Sequence, residues 1–256
     1  MSQASATSLS VRGAAAFAAA LTLSGAPGAA LAQPRQDNQP TAPPVQGLYS
    51  TSGASRYTTP DGAVRFVFDR SGGRVALVRF EGDPEVHVLR PFMAAGGDEI
   101  YRTESGDVVL RVTRHGGIIV YTRAHQTGAP ASEEAQVAPL TPEAVALEVM
   151  RQRLRQLQEL AARQMGQSVT FDAPVQVNGP TAGVVLDAAE RAAKGLADAP
   201  LTTVRRVVIT IGPAPGAAVH GEVLTVQVAP AMGFAGRPSS TTIRNVVTGQ
   251  RQGPEQ

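Results

Sequence analysis

The sequence predicts an α+β protein: an N-terminal antiparallel β-meander, closed into a small barrel or half-sandwich, followed by a C-terminal α-β-α-β-β layer domain. Three observations carry this. Six strand-length runs separated by glycine turns lie between Tyr57 and Arg123. An apolar stripe at helical spacing runs from Leu147 to Ala161. Beyond it, helical and alternating patterns take turns to the end of the chain.

Residues 1–32 read as a secretory signal peptide. Arg12 supplies the positive start, Gly13 to Leu23 a short apolar core, and Ala30-Leu31-Ala32 the small-x-small pattern ahead of cleavage before Gln33. Gly25 and Pro27 interrupt the apolar run far short of the roughly 20 residues a membrane span needs. No other stretch is a candidate to cross a membrane, so no integral segment is expected after cleavage. Residues 33–56 are rich in Gln, Pro, Ser, Thr and Gly and read as a flexible linker.

The β-meander domain is assigned to 57–125. Its runs are Val64–Phe68, Arg74–Phe80, Glu85–Leu89, Glu99–Thr103, Val108–Thr113 and Ile118–Thr122, with turns such as Ser71-Gly72-Gly73 and Gly82-Asp83-Pro84 between them. Val64, Phe66 and Phe68 alternate with Arg65 and Asp69, which marks one face as core and the other as wet or shared with a neighbouring layer. A polar connector is expected at 126–140.

The α+β domain is assigned to 141–250. Thr141-Pro142-Glu143 has the cap, proline and acid of a helix start. Leu147, Met150, Leu154, Leu157 and Ala161 form the stripe, which fits docking on a sheet better than a dimer seam, and a monomer is favoured. A short strand at 168–171, a helix at 181–197 and strands at 203–211 and 222–228 follow, arranged as helices on one face of an antiparallel sheet. Ser239 or Ser240 caps a last short helix ending near Gly249, and 251–256 is a tail.

Composition narrows the function. With 23 basic against 21 acidic residues, the net charge of +2 gives no electrostatic case for nucleic acid. Cysteine is absent, which removes disulfides, thiolate metal sites and cysteine nucleophiles. No Gly-x-Ser-x-Gly or Ser-x-x-Lys occurs, and the single lysine, Lys194, lies in no phosphate-binding loop. The four histidines His87, His115, His125 and His220 lack zinc-site spacing, so neither a metal nor a cofactor is expected. Asp83 and Glu85, Asp98 and Glu99, and Glu104 and Asp107 flank turns, where acids cap amides rather than act as desolvated acid-base pairs.

Arginine is the one constellation with ligand potential. Arg65, Arg79, Arg102, Arg111, Arg114 and Arg123 lie in or beside strands, where cross-strand ion pairs are the simpler account. Gly236-Arg237-Pro238-Ser239-Ser240 reads as an anion-binding helix start or as an ordinary cap. The anion or ligand contact candidates are therefore Arg102, Arg111, Arg114 and Arg237, and no catalytic residue is assigned.

The run Gly97-Asp98-Glu99-Ile100-Tyr101-Arg102, then Gly106 to Arg114, resembles a family of exported alphaproteobacterial proteins with a domain of unknown function. Phe66-Val67-Phe68-Asp69-Arg70 before it, Gly116-Gly117 after it and the late run Gly233 to Ser240 extend the likeness over most of the chain beyond residue 57. The resemblance implies a periplasmic location and carries no activity or catalytic residues with it. The functional expectation is a non-catalytic periplasmic or secreted module that binds an envelope protein or small ligand. The alternative is a hydrolase acting on an envelope polymer through carboxylates.

Overall fold

A meander becomes a barrel only when its first and last strands pair. The computed structural model describes residues 53–250 apart from 175, 200 and 201. In it the strands β1 (Ala54–Thr58), β2 (Arg65–Asp69), β3 (Ala76–Phe80), β4 (Val86–Met93), β5 (Glu99–Arg102), β6 (Val108–Val112), β7 (Ile118–Val120) and β8 (Ala129–Val137) form a closed antiparallel barrel. Residues 1–32 expected as a signal peptide, positions 33–52 of the expected linker and the expected tail 251–256 lie outside the described residues.

Two of these strands correct the sequence reading. β1 begins inside the stretch assigned as linker, and β8 occupies most of the stretch assigned as connector 126–140. They pair with Ala54 opposite Val137 and Thr58 opposite Ser132, across a register shift between Arg56 and Tyr57. The segment Ala129-Pro130-Ala131-Ser132-Glu133-Glu134-Ala135-Gln136-Val137 has small and acidic side chains, and most of it is exposed. Without an apolar face of its own it shows no alternation, and the flanking backbones of β1 and β7 determine its conformation.

Side chains fill the barrel, as expected for an interior of this strand number. Tyr57 stacks on Phe66 at 5.5 Å between ring centroids, and Phe68 meets Tyr101 edge-on at 5.0 Å. Val78, Leu89, Leu110 and Val120 are fully buried around them. Asp69, expected on a wet or shared face, is 2% exposed. Its carboxylate accepts the Leu140 N–H at 2.7 Å and the Ser71 N–H at 2.8 Å, which ties the chain leaving β8 to the end of β2.

The second half contains α1 (Leu147–Met165), β9 (Thr170–Asp172), α2 (Gly179–Ala197), β10 (Arg206–Ile211), β11 (Gly216–His220), β12 (Val223–Val228), a short 3-10 segment (Pro230–Gly236) and α3 (Ser240–Val247). The sheet order is β11-β12-β10-β9. Here the expected antiparallel sheet is corrected. β9 and β12 both run parallel to β10, and only β11 is antiparallel to its neighbour. A helix between β9 and β10 makes a crossover that returns the chain in the same direction. The unforeseen strand β11, folded back on β12 at Gly221 with φ +58°, reverses the chain once more and so leaves β12 parallel to β10.

The first helix also starts later than expected, at Leu147, and residues 142–145 cross α2 in an extended path. Val145 N–H bonds to the Gly179 carbonyl at 3.0 Å, and the Glu143 carbonyl passes where a Cβ on Gly183 would lie. Met150, Leu154 and Ala161 are buried, while Leu147 and Leu157 are half-buried against the same core. α2 is buried nearly all round, with Ala182, Val185, Ala188, Ala189, Ala192 and Leu196 inside. Its small residues let neighbours come close: Gly195 lies under the Ser240 carbonyl and Ile243 of α3. Ser239 caps α3 as the sequence suggests, accepting the Thr242 N–H at 3.1 Å.

Candidate functional site

The β3–β4 turn and the first turn of α3 meet around one buried carboxylate. Gly82 takes φ +81°, Asp83 accepts the Glu85 N–H at 2.9 Å, and strand alternation then places Asp83, Glu85 and His87 on one side. Glu85 is 1% exposed. Ser240 donates its N–H to Oε1 at 3.0 Å and its hydroxyl to Oε2 at 2.5 Å, and Lys194 Nζ donates to Oε2 at 3.0 Å. Arg191 Nη1 stands 3.6 Å away. Burial alone would raise this carboxyl. The hydrogen bonds from the Ser240 hydroxyl and amide, with the charges of His87 and Arg191, together outweigh burial and bring it down to about 2. The helix start at Gly236–Ser240 is thus both things the sequence offered: Ser239 is its cap, and its anion is Glu85 from the barrel.

Behind Glu85 lies a second buried pair. Arg191 is 2% and Arg237 1% exposed. The Asp187 carboxylate accepts Arg237 Nε and lies 3.7 Å from Arg191 Nε, and Arg237 Nη2 donates to the Val86 carbonyl at 2.6 Å. Gly236 puts the arginine there, because the 3-10 segment folds back so tightly that a Cβ would strike the Ala229 carbonyl. The Ala229 N–H closes that fold on the Gly236 carbonyl at 2.7 Å. Arg237 Nη1 is buried and has no hydrogen-bond partner. Such an unmet donor costs about 1–3 kcal/mol.

Beside this cluster a cleft of about 490 Å³ opens between barrel and helices. Phe80, Val88, Val109 and Tyr121 give it apolar walls, and Asp83, His87, Glu104, Asp107 and Arg123 line it with charge. From the helical side come Arg237, Ser239 and Thr241. Each acid is engaged: Asp83 with His87 Nε2 at 3.2 Å, Glu104 with the Thr242 hydroxyl at 2.8 Å, and Asp107 with the Ser105 hydroxyl at 2.6 Å.

Two reactive readings fail on this geometry. Asp83, Glu85 and His87 offer ligand atoms within 4.8 Å of one another, as a metal triad would. Both oxygens of Glu85 are already bonded, and Lys194 and Arg191 would repel a cation placed there. Lys194 Nζ also lies 3.3 Å from Ser240 Oγ, a serine–lysine pair 46 residues apart in sequence. Yet Ser240 is 4% exposed and gives its proton to Glu85, so this pair presents no activated nucleophile to the cleft.

Of the four arginine candidates, Arg237 alone lines the cleft. Arg111 donates to Asp98 at 2.6 Å, and that hydrogen bond holds its guanidinium pKa up. The Arg114 N–H bonds to the same Asp98 at 2.9 Å, while its Nε reaches His115 at 3.0 Å. Arg102 lies over the Phe92 ring at 5.2 Å. These three belong to the barrel surface. Sequence reasoning had Glu85 only as a turn acid, Lys194 only as lying in no phosphate-binding loop and Ser240 only as part of the helix start, and it missed Asp187 and Arg191. The legible trace of Asp187, Arg191 and Lys194 is the charged row they form with Glu190 at helical spacing on an otherwise alanine-rich helix.

A family model for a domain of unknown function, DUF4908, matches residues 37–247. The chain belongs to the DUF4908 family. The match runs from ahead of β1 to the last residue of α3, so a DUF4908 domain comprises the barrel, the sheet and the helices together. No curated protein and no solved structure matches the chain.

Proposed function

We propose that this DUF4908 protein is an exported, non-catalytic binding module that holds a small ligand in the cleft between barrel and helices. The observation that carries the reading is the cleft itself: about 490 Å³, apolar walls and a few convergent polar groups, which is the make-up of a small-molecule site. A hydrolase working through carboxylates would need two convergent acids, one of them desolvated and protonated. Asp83, Glu104 and Asp107 are instead turn acids with hydrogen-bond donors of their own, and Glu85 is held ionised.

Export rests on the signal-peptide pattern of residues 1–32. Among the described residues no helix is long and apolar enough to cross a membrane. N-terminal sequencing of exported material should begin at Gln33, and a retained Met1 in the membrane fraction would reject that cleavage. For binding, N-phenyl-1-naphthylamine is a suitable neutral fluorescent probe. The full chain should enhance its emission saturably, and Val88→Trp, which fills the cleft, should abolish the enhancement. Equal enhancement by the variant would place the probe elsewhere and overturn the reading.

A further inference from the structure

Resting on the cleft reading, we propose that the ligand is an amphipathic monocarboxylate, with its carboxylate on Arg237 Nη1 and its apolar body between Phe80, Val88 and Val109. Two independent features converge on the head-group position. Arg237 lines the cleft, is 1% exposed, and keeps one guanidinium nitrogen buried without a partner while Asp187 and Val86 take the others. The first turn of α3 supplies the second feature. Glu85 takes the amide of Ser240 and the Ser239 hydroxyl takes that of Thr242, so neither is bonded to the amide of Thr241, a residue that also lines the cleft. A guanidinium N–H and a helix-terminal amide on residues that line one cleft are donors suited to a carboxylate.

Charge sets the number of negative groups at one. Glu85, Asp187 and Glu190 balance Arg191, Lys194 and Arg237, so this partly exposed cluster offers an unmet donor rather than an excess of positive charge. Glu104, bonded to the Thr242 hydroxyl in the first turn of α3, and Asp107 also line the cleft and would repel a second negative charge. A phosphate dianion therefore fits worse than a carboxylate, and a neutral amide leaves the donor with a weaker acceptor.

Calorimetric titration of the full chain with 2-naphthoate, 2-naphthamide and 2-naphthyl phosphate tests this. Naphthoate should bind about 10- to 100-fold more tightly than the amide, the range of a hydrogen bond to a charged group. The phosphate should bind more weakly than naphthoate. Arg237→Gln should abolish the preference for carboxylate over amide. Because Arg237 also holds Asp187, the variant is read only where circular dichroism shows it folded; the comparison of the three ligands on the unaltered protein stands without it. If the amide equals naphthoate, or a folded Arg237→Gln keeps the preference, the carboxylate assignment is overturned while the cleft reading survives on N-phenyl-1-naphthylamine. Tightest binding by the phosphate overturns it in favour of a phosphoryl ligand. If none of the three binds and N-phenyl-1-naphthylamine also fails, both readings fall.

Discussion

Replacing Glu85 by glutamine keeps the shape of the side chain and removes the charge on which the barrel and α3 converge. The folded protein holds this carboxyl at about 2 against 4.5 for an unperturbed glutamate. At about 1.4 kcal/mol per tenfold in proton affinity, the difference favours the ionised folded form by about 3 kcal/mol. The folded value lies below the unfolded one, so this stability is fully present above about pH 4.5 and is lost as the pH falls through the folded value near 2. Glu85→Gln also leaves Lys194 and Arg191 facing a neutral amide, and breaking a buried pair in this way costs about 3–5 kcal/mol. The assay is urea denaturation of both proteins at several values from pH 7 to pH 2. At pH 7 the variant should be about 3 kcal/mol less stable. The gap should close on acidification, because the wild type loses the contribution that the variant never had. A gap that stays constant down to pH 2 would refute the argument, since the stabilisation would then not come from the ionised carboxylate.

Other expectations follow from packing. Gly183→Ala drives a Cβ into the Glu143 carbonyl and should destabilise by about 1–3 kcal/mol in thermal or urea unfolding. Leu154→Ala, a core truncation in α1, should cost about 2–5 kcal/mol, with an unfolding midpoint that does not change over a hundredfold dilution of roughly the working concentration. A midpoint that falls on dilution would mean that α1 packs on a second chain. A fragment covering 57–125 lacks β8 and most of β1, which would leave the barrel open, and should show no cooperative transition by circular dichroism. A fragment covering 53–140 closes the barrel and should show one.

How much was legible can be judged from particular residues. The strands β2 to β7 announced themselves as short apolar runs between glycine turns, with Val64, Phe66 and Phe68 set against Arg65 and Asp69 in the first of them, a signal contained within each strand. The stripe of α1 and the Ser239 cap are equally local. Arg237 was singled out from its position ahead of a helix start, and it is the one candidate that reaches the cleft. Arg102, Arg111 and Arg114 drew attention for lying in or beside strands, yet Phe92, Asp98 and His115 respectively engage their guanidinium groups on the barrel surface.

What the sequence by itself determined about this protein is therefore the set of elements whose apolar faces are written in their own periodicity, together with an absence of cysteine chemistry. Only the tertiary structure decided which edges meet. β8 has almost no apolar face, so it is a strand because β1 and β7 offer it backbone partners. The sheet is largely parallel because β11 adds one more reversal of the chain. Glu85 and Ser240 stand 155 residues apart, and no local pattern tells a carboxylate beside a strand that its donors lie on a distant helix. Hydrophobic periodicity is a short-range property of the chain, whereas strand pairing and the neutralisation of a buried charge depend on partners that folding alone brings within reach.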